Sequence, residues 1–285
     1  MKYGCCLNMV AAGPDGTGYE HLRALRDCGF DYAELPLAEM MAMSEADFAA
    51  LHMALRQTGI PCEVCNNFFP KTARLTGPNE DWAALRYAEA ALGRASLLGA
   101  KVVVFGSGAA KQVPAGFPLE RGYEQVVRLL RGIGPMAAAR GITIAIEPLR
   151  QAECNLINTF REGCRLADDV AHPAVRVLVD FYHMTAERES PDVLRTLGPG
   201  HLAHVHFANP NGRVYPAGAE EADYAPFFAA LRAVPYDGRI SCEAYAGRFA
   251  DDAAAARQFF NLFVCNPSPF AEGSGKENPC FTTPR

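Results

Sequence analysis

Four side chains in this sequence have types and positions that could do chemistry: Glu147, Asp180, His206 and Glu243. Each closes, or lies near the end of, a short β-rich run: ITIAIE, VRVLVD, LAHVHFAN and RISCE. Strand side chains alternate in direction, so Thr143, Ala145 and Glu147 share one face, as do His204 and His206, and Ser241 and Glu243. With those faces turned to a common centre, two Glu, one Asp and one His would meet. An oxygen-rich set with one nitrogen suits one hard or borderline divalent cation, Mn²⁺ first and Mg²⁺ or Co²⁺ next, better than a thiolate-loving ion. Taken singly, a Glu after a strand is usually a solvated loop residue, and a His in an apolar strand is usually a hydrogen-bonded core residue. The four together resist that explanation, because three carboxylates buried without a cation would cost several kcal/mol in repulsion and desolvation.

Elements of two kinds must hold these residues. Eight β-rich runs recur: Tyr3–Met9, Tyr32–Pro36, Cys62–Asn66, Lys101–Phe105, Thr143–Glu147, Val175–Asp180, Ala203–Phe207 and Arg239–Glu243. Amphipathic stretches follow them at Gly18–Cys28, Ser44–Thr58, Asn79–Leu98, Leu119–Arg140, Phe160–Ala171, Asp192–Leu197, Tyr224–Val234 and Asp251–Phe263. Ser44 before Glu45 and Asp47 reads as an N-cap with an acidic first turn. Gly29, Gly59, Gly99 and Gly141 stand where helices end. Eightfold strand–helix alternation predicts a parallel sheet closed into a single-domain (β/α)8 barrel over residues 1–265, and no GxGxxG fingerprint follows the first run to favour an open sheet. Such barrels place their active sites where the strands end. Residues 266–285, rich in Pro, Gly and Ser without a period, read as a flexible or cloning-derived tail.

Composition narrows the function classes. The 285-residue chain carries a formal charge of −5 and no basic stretch, which gives no reason to expect nucleic acid. No run of ~18 apolar residues predicts a membrane span. Most of the cysteines sit in apolar runs, as small buried hydrophobes do. With no convincing leader in MKYGCCLNMV, the reducing cytoplasm is the expected compartment.

At this level the sequence resembles a known family. EPLRQAECNLINT (Glu147–Thr159), DFYHM (Asp180–Met184), HVHFANPNGR (His204–Arg213) and the strand end at Glu243 are similar to the corresponding stretches of D-tagatose 3-epimerase and related ketose 3-epimerases. More broadly, residues 1–264 resemble the xylose isomerase-like TIM-barrel superfamily of sugar phosphate isomerases and epimerases. The resemblance implies that Glu147, Asp180, His206 and Glu243 ligate one metal. It implies that Glu147 and Glu243 trade a proton next to a substrate carbonyl through an enediolate, that His183 and Arg213 hold substrate oxygens, and that Glu153 hydrogen-bonds near the carbonyl end. The substrate would be a small sugar, a polyol-like molecule or a glycoside, and the protein a homodimer or higher homo-oligomer. A lyase using the same metal and bases, resembling an inosose dehydratase or a C-glycoside deglycosidase, is the alternative. A metal-dependent phosphodiesterase ranks lower, because that chemistry calls for several metals, more His ligands and a basic face. A non-catalytic sugar-binding barrel would not need two opposed bases.

Several further residues invite a role. Glu34, near the end of the second run, would contact substrate or orient a ligand. Cys62-x-x-Cys65 has redox spacing, but on a strand the two should face opposite ways, leaving Cys65, with Asn66 and Asn67, to line the pocket. The first run offers Cys6 and Asn8 at its end. FGSGAAKQVP after the fourth run presents a Gly–Ser–Gly turn and Lys111 that could take a phosphate or carboxylate. Trp82 reads as structural.

Overall fold

The computed structural model describes residues 1–78 and 83–265, so Trp82 and the 266–285 tail lie outside the described residues. The first half of the chain runs β1 (Lys2–Cys6), α1 (Leu22–Asp27), β2 (Tyr32–Pro36), α2 (Leu37–Ala42), α3 (Glu45–Thr58), β3 (Cys62–Asn66), α4 (Ala83–Leu98), β4 (Val102–Phe105) and α5 (Gly108–Lys111). The second runs α6 (Leu119–Ala138), β5 (Thr143–Ile146), α7 (Phe160–Val170), β6 (Val175–Asp180), α8 (Phe181–Ala186), α9 (Val193–His201), β7 (Leu202–Phe207), α10 (Ala225–Ala233), β8 (Arg239–Cys242) and α11 (Phe249–Cys265). The strands pair in chain order, all parallel, and β8 returns to β1 to close the expected (β/α)8 barrel.

Local signals explain much of this. Ser44 Oγ accepts the Asp47 amide at 3.1 Å, capping α3. Thr159 and Glu162 form a capping box that starts α7. Tyr32, Val64, Val102, Val104, Ala145 and Leu178 pack the barrel interior. The Tyr32 ring passes so close to Gly4 that a Cβ there would meet it at 2.3 Å, so β1 needs a glycine at that level. A second, larger core lies between strands and helices, and behind β6 and β7 it becomes a stack of aromatic rings that includes Phe181, Phe207, Tyr224, Phe227 and Phe259.

Three features depart from the sequence expectations. The first strand stops at Cys6, and Leu7–Met9 turn as a 3-10 segment, which brings Asn8 to the mouth. A short helix, α2, follows β2 directly. The pairing of β2 with β3 shifts register between Ala33 and Glu34, skipping Glu63. That bulge breaks the strand alternation, so Cys62 and Cys65 share a face, with their sulfurs 3.9 Å apart in the outer core.

Candidate metal centre and active site

Each key side chain is fixed by the way its strand ends. Glu147 stands one residue past β5, its amide donating to Phe105 O at 3.2 Å and its carbonyl accepting the Lys111 ammonium at 2.9 Å. Asp180 ends β6 and caps α8, accepting the Tyr182 amide on Oδ1 at 2.7 Å, which leaves Oδ2 for the centre. His206 is paired in register with Asp180 on one side and Ser241 on the other. Glu243 follows β8, its amide donating to Phe207 O. All four are buried.

Ligand atoms of Glu147, Asp180, His183 and Glu243 lie within 4.8 Å of one another, and the three carboxylates among them suit a hard or borderline divalent cation. Asp180 Oδ2 and His183 Nε2, 3.5 Å apart, have no hydrogen-bond partner among the described residues. A buried carboxylate oxygen left this way is costly unless a cation or a ligand meets it. The residues therefore fit a metal ion.

Two imidazoles border the three carboxylates, and their other nitrogens set their character. His206 Nε2 faces Glu34 Oε1 at 2.9 Å, while its Nδ1 lies 2.9 Å from Glu147 Oε1 and 3.2 Å from Glu243 Oε2. Grouped by distance alone, His206 clusters with Cys6 and Glu34 rather than with Asp180. His183 Nδ1 accepts the Arg150 amide at 3.3 Å, so in the neutral ring Nε2 carries the proton and can only donate.

The charges around the centre are set apart. Burial and the neighbouring Glu243 raise the proton affinity of Glu147. Burial also pushes Asp180 up. For Glu243, burial acts the same way, but Arg213 and His206 outweigh it and hold the carboxyl well below its usual range. Arg213 Nη2 reaches Glu243 Oε2 at 2.6 Å and lies 3.8 Å from Asp180 Oδ2, while Nη1 is 3.7 Å from Glu153 Oε1. Its backbone is left-handed (φ 54°), held by the Tyr245 amide on its carbonyl, and its guanidinium lies 4.9 Å over the Tyr182 ring. Arg213 Nε is a further buried donor with no partner among the described residues.

These groups open onto a cavity of about 670 Å³. Glu147, Glu243, His183, Arg213 and Glu153 line one side of it, and Asn67 lines the other. Two expected pocket residues do not reach it. Cys65 is fully buried with its sulfur turned to Cys62, a consequence of the β3 bulge. Glu34 is also fully buried, where it accepts from Ser241 at 2.5 Å and bonds His204 at 3.0 Å and His206 at 2.9 Å. Nor is Lys111 an anion site. It is completely buried beside Phe105, with its ammonium on the Glu147 carbonyl. The Gly–Ser–Gly turn has a different use: a Cβ on Gly106 would stand 2.2 Å from Glu147 Oε2, so glycine makes room for the carboxylate. The sequence marks Gly106 only as part of a turn for an anion, and its use in making room for a carboxylate shows only once β4 and β5 are paired.

A family model described as xylose isomerase-like TIM barrel matches residues 22–262. The chain belongs to that family. Among curated xylose isomerase-like relatives, D-psicose 3-epimerase of Agrobacterium fabrum (strain C58) is 29% identical over 234 residues, covering 79% of this chain and 78% of that one. The 3-dehydro-D-guloside 4-epimerase of Escherichia coli K12 is 28% identical over 259 residues, covering 84% and 93%. Solved structures share the fold: D-psicose 3-epimerase with D-fructose at TM-score 0.76 and 22% identity, over 93% of this chain and 99% of that one, and the E. coli 3-keto-D-glucoside 4-epimerase at TM-score 0.75 and 24% identity, over 93% and 100%. No helix among the described residues of this xylose isomerase-like barrel is long and apolar enough to cross a membrane.

Proposed function

We propose that the protein is a metal-dependent sugar epimerase or isomerase that moves a proton on the carbon beside a carbonyl. The observation that carries the proposal is the meeting of Glu147, Asp180 and Glu243 with an imidazole, their ligand atoms within 4.8 Å of one another, at one side of a cavity that Glu147 and Glu243 both line. Two carboxylates from different staves of the barrel, beside a cation that stabilises an enediolate, can take a proton from a carbon and return one. The curated relatives named above are epimerases of keto-sugars, which agrees with it.

Glu147, Asp180, Glu243 and His206 through Nδ1 would hold the cation, with Glu34 keeping the other His206 nitrogen occupied. A divalent ion there supplies electrophilic stabilisation of the negative charge that develops on the substrate oxygens. Glu243, ionised beside Arg213, takes the proton from the substrate carbon. Glu147, from another stave of the barrel, returns a proton to that carbon or its neighbour, giving an epimer or an isomer. His183 Nε2–H and the Arg213 guanidinium donate to substrate oxygens, and Glu153 helps to hold Arg213.

The test is to incubate the Mn²⁺-loaded protein with ketoses and with keto-glycosides in D₂O and follow the carbon next to the carbonyl. Deuterium incorporation with formation of an epimer or isomer is expected. Incorporation without either product would move the reaction to the lyase class, and no incorporation with any ketose or keto-glycoside would remove the enolisation altogether. Metal content of Glu147→Gln is the companion measurement: an unchanged content would take Glu147 out of the ligand set.

A further inference from the structure

The cavity is larger than the reaction requires. Each CH₂O unit of a sugar has about the bulk of one water, roughly 30 Å³, so a hexose takes up on the order of 180 Å³. That is less than a third of the 670 Å³ available. The remainder lies over β1–β4, away from the acid–base groups, and is lined by Asn8, Glu39, Asn67, Phe69, Lys71 and Ser107.

This recess has polar groups of its own, and they are held in place by the protein. Asn67, in a left-handed conformation (φ 47°), donates its amide to both Glu39 carboxylate oxygens at 3.2 and 3.4 Å. Asn8 Oδ1 accepts from Asn66 at 2.9 Å. Ser107 Oγ accepts the Phe69 amide at 3.0 Å. Asn8 still has its NH₂ group to offer a ligand, Asn67 its amide oxygen and Glu39 its remaining lone pairs, a mixture of donors and acceptors that matches hydroxyl groups. Phe69 adds an apolar wall against which the C–H face of a sugar can lie. The charge argues against a phosphate. Lys71 shares this wall with the Glu39 carboxyl group, and Lys111 is turned away on the Glu147 carbonyl.

We propose that the recess over β1–β4 is a subsite for a second, uncharged sugar ring, which makes the substrate a keto-glycoside of at least two rings rather than a free or phosphorylated monosaccharide. The assignment of the reacting ring rests on the enolisation reading above, but the binding of the second ring does not. Unreactive polyols therefore separate the two. Calorimetric titration of the Mn²⁺-loaded protein with sorbitol and with the glycosyl polyols maltitol, lactitol and cellobiitol is the experiment. At least one glycosyl polyol should bind fivefold or more tightly than sorbitol, and Glu39→Ala should remove most of that advantage. Glu39→Gln replaces it if the alanine variant does not fold. The subsite is refuted if no glycosyl polyol gains fivefold, if sorbitol 6-phosphate binds more tightly than all of them, or if the advantage survives the Glu39 substitution. Because these ligands have no carbonyl, a tight glycosyl polyol with no deuterium exchange on any ketose or keto-glycoside would retain the subsite and retire the enolisation. The opposite pair of results would do the reverse.

Discussion

The two halves of the barrel face one cavity with different equipment. β5–β8 deliver Glu147, Asp180, His206 and Glu243, each at or next to a strand end where backbone pairing fixes its height. β1–β4 deliver turns and short helices that shape space and offer amides, through Asn8, Asn67, Glu39 and the Gly106 gap. Strand ends give the fixed geometry that proton transfer demands, while loops can vary what is recognised without disturbing it. Glu34 crosses this division. It comes from β2, but its carboxylate lies against His206 and His204, which despite its burial hold it well below the usual carboxylate range.

Five substitutions can break or sharpen that contrast. The largest effect is expected from Glu243→Gln or Glu147→Gln in the second half: a loss of ~10²–10⁴-fold in the deuterium-exchange rate with little change in thermal stability. Gly106→Ala in the first half should cost roughly 10²-fold in kcat, because its Cβ must displace the Glu147 carboxylate, while Tm stays near wild type since the displaced atom ends a flexible side chain. An unchanged rate there would show that Glu147 has room to spare. Glu34→Gln should weaken metal binding by ~10–100-fold, measured by competition with a chelator, through loss of the carboxylate that orients His206. The smallest effect is expected at the barrel floor, where Glu63 lies against Lys2 and Arg239 at 2.5 Å each. Burial raises its pKa, but the two cations outweigh burial and depress it below the ordinary 4.5. Its stabilisation is therefore present above that pH and lost as the pH falls through the folded value. Glu63→Gln should cost ~0.5–1 kcal/mol in urea unfolding at pH 7 and progressively less below pH 4.5. A cost that did not change with pH would mean the ion pairs contribute nothing.

Much of the second half was legible in the sequence because β-branched runs there end on ionisable residues, a pattern that couples element and site. β6 matches Val175–Asp180 to the residue. The first half was harder to read. β1 was drawn through Met9 because nothing in CCLNMV marks the 3-10 turn at Leu7, and the β3 bulge that puts Cys62 beside Cys65 has no glycine or proline to signal it. The Gly–Ser–Gly turn with Lys111 nearby suggests an anion site in sequence, but a lysine fully buried on a backbone carbonyl is uncommon, and only the fold brings the Glu147 carbonyl to it. The tautomers of His183 and His206 depend on an amide and a carboxylate far away in the chain, which spacing cannot reveal.

Beneath the mouth, Tyr32 OH meets Ser241 Oγ at 2.8 Å, Ser241 meets Glu34 at 2.5 Å, and Glu34 meets His206 at 2.9 Å, a line of contacts rising through the closed barrel. Mutational libraries built on this barrel should therefore sample Tyr32 and Ser241 along with the loops. An exchange as small as Ser241→Ala, invisible from solvent, would reset the imidazole at the top of that column.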